Sequence, residues 1–339
     1  MPVDKIKIYG QRIGFILYNE MRVEFDFLEV KQDYKDINLV PGVDTLQLVR
    51  EPLGPEINSP YTEKSPVISA DGNTLYFNRG GHPDNIEDRE YSDIWYSRYE
   101  HGKWQKAEQF PRPVNNGSHN FVVSVTPDNN ALLVGNTYNA DGTAKGSGFS
   151  YTRKKSEGWE VPKDVTVKNY HNHNDYTESC LSSSRKVLIS SVERDDHRGS
   201  KDLYVSFLGA DSVWTEPKNL GTVLNTESDE DSPFLAADDV TMYFSTSGHP
   251  GFGSGDIFMT RRLDDTWLNW SEPQNLGPQI NSPNWDAYYT IPASGAYAYV
   301  VSNSPYEGDL DIYRIKIPEA AKPKAVTLVY GKVLNQKTG

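Results

Sequence analysis

The residues that decide the fold are Asp93-Ile94-Trp95, Asp202-Leu203-Tyr204, Asp256-Ile257-Phe258 and Asp311-Ile312-Tyr313, which recur at intervals of 109, 54 and 55 positions. The first interval spans two periods, and Gly148-Phe149-Ser150-Tyr151 stands at its midpoint as a copy without the aspartate. A set of tryptophans keeps the same step: Trp104, Trp159, Trp214 and Trp270. The chain therefore contains five copies of a repeat of about 55 residues.

Each copy holds four short segments of strand character that are separated by turn residues. In the first copy the segments cover residues 65–69, 74–79, 93–99 and 104–110. Helical periodicity is absent, and a meander of four strands at this spacing is typical of one β-propeller blade. The sequence thus predicts an all-β protein, a β-propeller of four-stranded antiparallel blades.

The ends of the repeat region indicate how the propeller closes. Residues 270–281 form a fourth strand with its exit, and residues 49–58 repeat their pattern in a form two residues shorter. The last copy, which ends near Ile317, has only three strands, so we expect residues 46–50 to complete it and to remove an open sheet edge. This gives five blades closed by an N-terminal strand. The alternative is six blades, with residues 3–45 as three further strands.

The composition of the chain argues against several classes of function. The 339 residues carry 47 acidic and 34 basic side chains, a formal charge of −13, which disfavours binding to nucleic acid. The single cysteine, Cys180, rules out a disulfide within the chain and a cysteine-based zinc site. The sequence contains no run of about 18 apolar residues, so it predicts no transmembrane segment. The first ten residues also lack the apolar stretch of a signal peptide.

The repeat resembles a known family. Residues 65–77, 214–221 and 255–258 are similar to the WD-like propeller repeat of TolB-type proteins and of OmpA-family envelope proteins of Bacteroidetes. Residues 329–339 resemble the first strand of a carboxypeptidase-regulatory-like domain, and a type IX secretion component has this order of domains. That component has helical repeats ahead of its propeller, which this chain lacks.

The resemblance implies a non-catalytic scaffold in the periplasm, associated with the outer membrane, with envelope proteins or peptidoglycan-associated molecules as partners. We expect residues 1–45 to be a separate β element and residues 46–317 to be the propeller. Residues 318–324 would be a linker, and residues 325–339 the start of the carboxypeptidase-regulatory-like domain. Because the chain stops in a strand and turn with no second strand, we also expect it to be a fragment of a longer protein.

Candidate binding residues fall in two groups. Long loops between the second and third strands, and between blades, open on one face of such a propeller, and loops on a rigid scaffold often carry binding groups. From these loops we select His82, Asp195, His197, Asp229 and His249. One residue per blade precedes or opens the inner strand and would form a polar ring at the mouth of the axial channel: Glu63, Asn120, Thr177, Glu230 and Asp286.

The sequence gives no positive support for catalysis or for a cofactor. It has no glycine-rich phosphate loop after a strand, no nucleophile elbow and no zinc-protease helix. His171 and His173 stand beside Asp175, but two imidazoles in a polar loop are too few for us to assign a metal site. The alternative to a scaffold is a propeller-type glycoside hydrolase or lyase, for which Glu63, Glu230 and Asp286 are the candidate carboxylates.

Overall fold

Five antiparallel sheets make up the structure, a computed structural model that describes residues 37–174, 176–303 and 310–327. In chain order the strands are β1 Glu51–Pro52, β2 Thr62–Ile68, β3 Thr74–Gly80, β4 Ser92–Glu100, β5 Lys103–Trp104, β6 Glu108–Gln109, β7 Val122–Val125, β8 Ala131–Tyr138, β9 Ala144–Arg153, β10 Lys163–Val165, β11 Glu178–Leu181, β12 Val187–Val192, β13 Asp202–Phe207, β14 Lys218–Asn219, β15 Glu230–Leu235, β16 Thr241–Thr246, β17 Asp256–Arg261, β18 Gln274–Asn275, β19 Ala287–Thr290, β20 Tyr297–Asn303 and β21 Leu310–Lys316.

Blade 1 consists of β2–β6, blade 2 of β7–β10, blade 3 of β11–β14, blade 4 of β15–β18, and blade 5 of β19–β21 with β1 as its outer strand. The outer strand of blade 1 is divided into two short pieces, β5 and β6. The five inner strands, β2, β7, β11, β15 and β19, form a closed ring. Each contacts the inner strand of the next blade, and β19 contacts β2. The fold is therefore a five-bladed β-propeller, as the repeat predicted, and the six-bladed alternative is wrong.

The N-terminal strand closes the ring, as predicted. Glu51 and Pro52 pair with Arg314 and Tyr313 of β21. The closing strand begins just after the predicted residues 46–50. Arg50 instead directs its guanidinium to blade 5, where it lies 3.1 Å from the Asp286 carboxylate and donates to the Ser302 hydroxyl.

The repeated tryptophans pack between neighbouring blades. Trp104 lies edge-on to Tyr299 of blade 5, with 6.0 Å between ring centroids, and Trp214 packs with Phe149 of blade 2. Trp270 is buried in a cluster with residues of blade 3. Trp159 is half-buried against Phe110 of blade 1. Each large ring thus buries apolar area where two sheets meet, which is the role the repeat predicted.

The repeated aspartates hold loops in place. One oxygen of Asp93 accepts hydrogen bonds from the Ile86 amide at 2.8 Å and from the Gln109 side chain at 2.7 Å. Asp202 and Asp256 make the same pair of contacts, to a loop amide and to an outer-strand asparagine, in their own blades. These carboxylates are part of the scaffold.

Two segments beside the propeller pack on blades 4 and 5. Leu39 forms a parallel bridge with Asn275 of β18, and Val40, Val43 and Ala321 share one buried cluster with residues of those blades. Residues 1–36 of the predicted N-terminal element, and residues 328–339 of the predicted following domain, lie outside the described residues. In the described part of the chain, no helix has the length and apolar character needed to cross a bilayer.

Candidate functional site

An axial cavity of about 750 Å³ runs between the inner strands. At one end it is lined by His119, Asn172 and Tyr176, from the side that carries the long loops, which we call the loop-rich face. At the other end it reaches the short turns that join the first and second strands, near Pro127 and Ala293. The cavity is open to ligands of the size of a few sugar or amino-acid units.

A cluster of charged side chains lies beside this cavity, and we call it the axial charge cluster. The Lys201 ammonium lies 3.4 Å from a Glu178 oxygen and also contacts the Asp231 carboxylate. The Tyr288 hydroxyl donates to the other Glu178 oxygen at 3.2 Å. Lys64, from the inner strand of blade 1, lines the same cavity and completes the cluster. Two carboxylates and two ammonium groups thus come together from blades 1, 3 and 4.

Burial perturbs the proton affinities of the cluster. Burial lowers the pKa of Lys64, against the opposing effect of Glu178. It raises the pKa of Asp231, and the neighbouring Glu178 carboxylate raises it further. For Lys201, burial favours the neutral form, but Glu178 and Asp231 outweigh it, so the pKa of Lys201 is raised. The ammonium stays charged between two carboxylates.

The ring predicted at the channel mouth does not lie there, apart from Thr177. Glu63, Asn120, Glu230 and Asp286 are fully buried. Each accepts a hydrogen bond from a backbone amide four residues earlier, as Glu63 does from Ser59 at 3.0 Å. Burial raises the pKa of Glu63 and of Glu230 to about 7. These side chains hold the loops that enter each blade and offer no surface to a ligand. Glu63, Glu230 and Asp286 are therefore unsuited as exposed catalytic carboxylates.

The predicted ring differs from the set of residues beside the cavity by one position of strand register. Successive side chains of a strand point to opposite faces, so a shift of one position exchanges the buried set for the exposed set. The positions after the predicted ring include Lys64, Phe121 and Glu178, which do line the cavity, and Asp231 of the axial charge cluster. A bulge follows in β2 and β15, where Ser65 and Ser232 have φ of 52°. Such bulges re-aim the neighbouring side chains.

The five predicted loop residues belong to loops of the loop-rich face but differ in exposure. Asp195 and His197 are exposed. His82 is half-buried against Trp95, 4.6 Å between ring centroids, and burial lowers its pKa. His249 packs on Phe258, and burial lowers its pKa as well. Asp229 accepts a hydrogen bond from the Lys201 amide and so supports the axial charge cluster. Sequence reasoning missed Lys64, Glu178, Lys201, Asp231 and Tyr288.

The loop-rich face is also acidic. Exposed carboxylates occur on the loop between β3 and β4, on the loop between β12 and β13, and on the connection from blade 3 to blade 4. They are Asp84, Glu87, Asp88, Glu90, Asp195, Asp196 and Glu227. Asp195 is 82% exposed and lies 2.8 Å from His173. This face therefore presents negative charge around the cavity mouth.

Comparison with known proteins gives distant structural likenesses. No family model matches the chain, and no curated protein matches it in sequence. TolB from Acinetobacter baumannii is 13% identical over 80% of this chain, with a TM-score of 0.46, and the chain spans 56% of that protein. A putative glycoside hydrolase from Parabacteroides distasonis is 9% identical over 77% of this chain and 88% of its own, with a TM-score of 0.49. Bacteroides ovatus xyloglucan PUL GH43B is 12% identical over 85% of this chain and 61% of its own, also with a TM-score of 0.49.

Proposed function

We propose that this chain is a non-catalytic binding module of a bacterial cell envelope, which holds a partner on its loop-rich face over the mouth of the axial cavity. The observation that carries the proposal is the contrast between the two faces of the propeller. One face has long acidic loops around an open cavity, and the other has mainly tight turns. A rigid ring that presents variable loops on one side is a common design for binding.

The axial charge cluster also favours binding over catalysis. Lys201 contacts both Glu178 and Asp231, so each of the two carboxylates is paired with the same ammonium. A general acid or a nucleophile needs a carboxyl group that is free to meet the substrate. This pairing suits a site that recognises polar groups without transferring protons.

The family resemblance of the repeat supports the place and the partners that we propose. It favours the periplasm next to the outer membrane, a part in protein secretion, and envelope proteins or peptidoglycan-associated molecules as partners. Because the loops are acidic, we expect the partner to present a basic surface, and its association should slow as the salt concentration rises.

The test compares charge removal on the two faces. Immobilised chain is incubated with periplasmic and outer-membrane extract from a member of the Bacteroidetes, and the bound proteins are quantified by mass spectrometry. We expect E90Q/E227Q, on the loop-rich face, to lose captured partner, while E100Q/E157Q, on the opposite face, captures as much as the wild type. All four carboxylates are exposed, so folding should change by less than about 0.5 kcal/mol. Equal capture by both variants contradicts binding through the acidic loops.

A second candidate function, a carbohydrate-active enzyme, rests on Glu178, which lines the cavity, and on Asp231, which lies near it in the axial charge cluster. A retaining glycosidase uses two carboxyl groups about 5 Å apart. Incubation with a panel of plant and bacterial glycans tests it, because turnover that disappears in E178Q while the variant stays folded would replace the scaffold proposal. The absence of turnover by the wild type supports the binding function.

A further inference from the structure

Two histidines and one aspartate converge on the loop-rich face of blade 3, outside the axial charge cluster. His171 and His173 lie on the connection from blade 2, and Asp195 lies on the loop between β12 and β13. One ligand atom from each residue lies within 4.8 Å of the other two. The His173 Nε2 atom is 2.8 Å from Asp195 Oδ1, and the His171 Nε2 atom is 3.7 Å from Asp195 Oδ2.

The hydrogen bonds around His171 prepare it to bind a metal ion. Its Nδ1 atom lies 3.2 Å from the Asn169 carbonyl oxygen, which can only accept a hydrogen bond. Nδ1 therefore carries the proton, and Nε2 presents a lone pair. That Nε2 atom is buried and has no hydrogen-bond partner among the described residues. A backbone carbonyl that fixes the tautomer of a histidine in this way is the usual second partner of a metal ligand.

The two loops are held in register independently of any ion. The His173 amide donates to the Glu193 carbonyl at 2.9 Å, and the Asn172 side chain accepts from the Glu193 amide at 2.8 Å. The nearby Arg194 guanidinium is already engaged, because it donates to Glu216 and to the same Asn169 carbonyl oxygen that His171 Nδ1 contacts. The site therefore needs little rearrangement to bind an ion.

From these contacts we propose that His171, His173 and Asp195 bind one divalent zinc ion. Zinc prefers imidazole nitrogen and carboxylate oxygen at about 2.0–2.2 Å, which places neighbouring ligand atoms roughly 3.3 Å apart in a tetrahedron. The two contacts, which run to different oxygens of Asp195, are 2.8 Å and 3.7 Å long and lie on either side of that separation. Zinc replaces the hydrogen bond between His173 and Asp195: the Nε2 proton leaves, and Nδ1 carries the single proton of the neutral ring that binds the ion. Three protein ligands leave one coordination position for water. This proposal does not depend on the proposed function.

The structure explains why the sequence alone did not indicate this site. Asp195 is 22 positions beyond His173, and only the pairing of the two loops brings them together. Asp175, the acidic residue next to the histidines in sequence, lies outside the described residues.

Isothermal titration of the chelator-treated chain with ZnCl₂ tests the proposal. We expect one zinc ion per chain, and an affinity that falls at least about tenfold in H173Q and in D195N, since even indirect partners of a metal site are worth that much. H101Q, which changes an exposed histidine on the opposite face, should bind as the wild type does. MgCl₂ should give no heat of binding, because imidazole is a poor ligand for magnesium.

A thermal measurement on the same proteins provides the second readout. An ion that joins two loops stabilises the folded chain, so saturating ZnCl₂ should raise the Tm of the wild type and of H101Q but not of H173Q or D195N. Circular dichroism without zinc confirms that the variants are folded. Zinc binding that is absent in the wild type, or unchanged in both H173Q and D195N, would overturn the proposal.

Discussion

Glu230 is a fully buried carboxyl group whose two oxygens are both used inside the fold. It accepts hydrogen bonds from the Thr226 amide at 3.0 Å and from the Thr246 hydroxyl at 2.9 Å. Burial raises its pKa from 4.5 to about 7. A raised pKa means that the folded state holds the proton more tightly than the unfolded state. The stability that this provides is fully present below pH 4.5 and is lost as the pH rises through 7.

We therefore expect the urea midpoint of the wild type to fall between pH 5 and pH 8, and to fall less in E230Q. Glutamine resembles the protonated acid in shape and stays neutral throughout this range, so it removes the contribution of this group. E227Q, an exposed carboxylate three residues away, should retain the wild-type fall. Equal falls in the wild type and in E230Q would show that Glu230 does not titrate in this range.

The same residue shows how far the sequence could predict the site. The spacing of Glu63, Asn120, Thr177, Glu230 and Asp286 correctly marked one equivalent position in every blade. Spacing cannot decide on which side of the strand that position lies, because a shift of one residue reverses every side chain. The hydrogen bonds from amides four residues earlier decide it, and these require coordinates.

At the scale of the blade, the position of the repeat tryptophan determines how firmly two sheets are joined. Trp214 is only 6% exposed and packs with Val123, Leu133 and Phe149 of blade 2. Trp159 occupies the same position in its own copy but is half-buried. We expect W214A to lower the free energy of unfolding by about 3–5 kcal/mol, as loss of a buried aromatic ring usually does.

W159A is the matched control for that prediction. It removes the same side chain from the same position of the repeat but leaves a smaller cavity, so its loss in urea denaturation should be clearly smaller. A loss below about 1 kcal/mol for W214A would mean that the ring contributes little to the blade interface.

The blade also shows which features a repeat can predict. Strand number and order follow from turn residues and from the period, because every blade solves the same packing problem. The degenerate copy at residues 148–151 still forms a blade, since Phe149 and Ser150 remain buried although the aspartate is missing. The cavity and the convergence of His173 with Asp195 depend on which neighbouring blades meet, and that information is not contained in one repeat.

On the scale of the whole molecule, the seam between blades 5 and 1 joins the two ends of the propeller. Asn58 bridges it by accepting from the Ile312 amide at 3.1 Å and donating to the Ile312 carbonyl at 3.0 Å. Asn225 makes the same two contacts with Leu203 inside the ring, at 2.9 and 3.0 Å. The partners are 254 positions apart in the first pair and 22 in the second.

N58A and N225A thus remove the same two hydrogen bonds at two topologically different places, and each should cost about 1–3 kcal/mol because backbone groups lose their partners. In N225A the strands on both sides stay connected by a short stretch of chain, so exchange of amide hydrogens should increase evenly with the loss of global stability. In N58A the remaining contacts across the seam, among them the pairing of β1 with β21, the contact of β19 with β2 and the packing of Trp104 on Tyr299, are non-covalent. Separation of the seam releases a very long loop and exposes the edge of β21.

We expect hydrogen exchange in residues 310–316 to rise in N58A beyond the level that global unfolding explains. The same exchange pattern in both variants, compared at matched stability, would mean that the ring has no weak point at its seam.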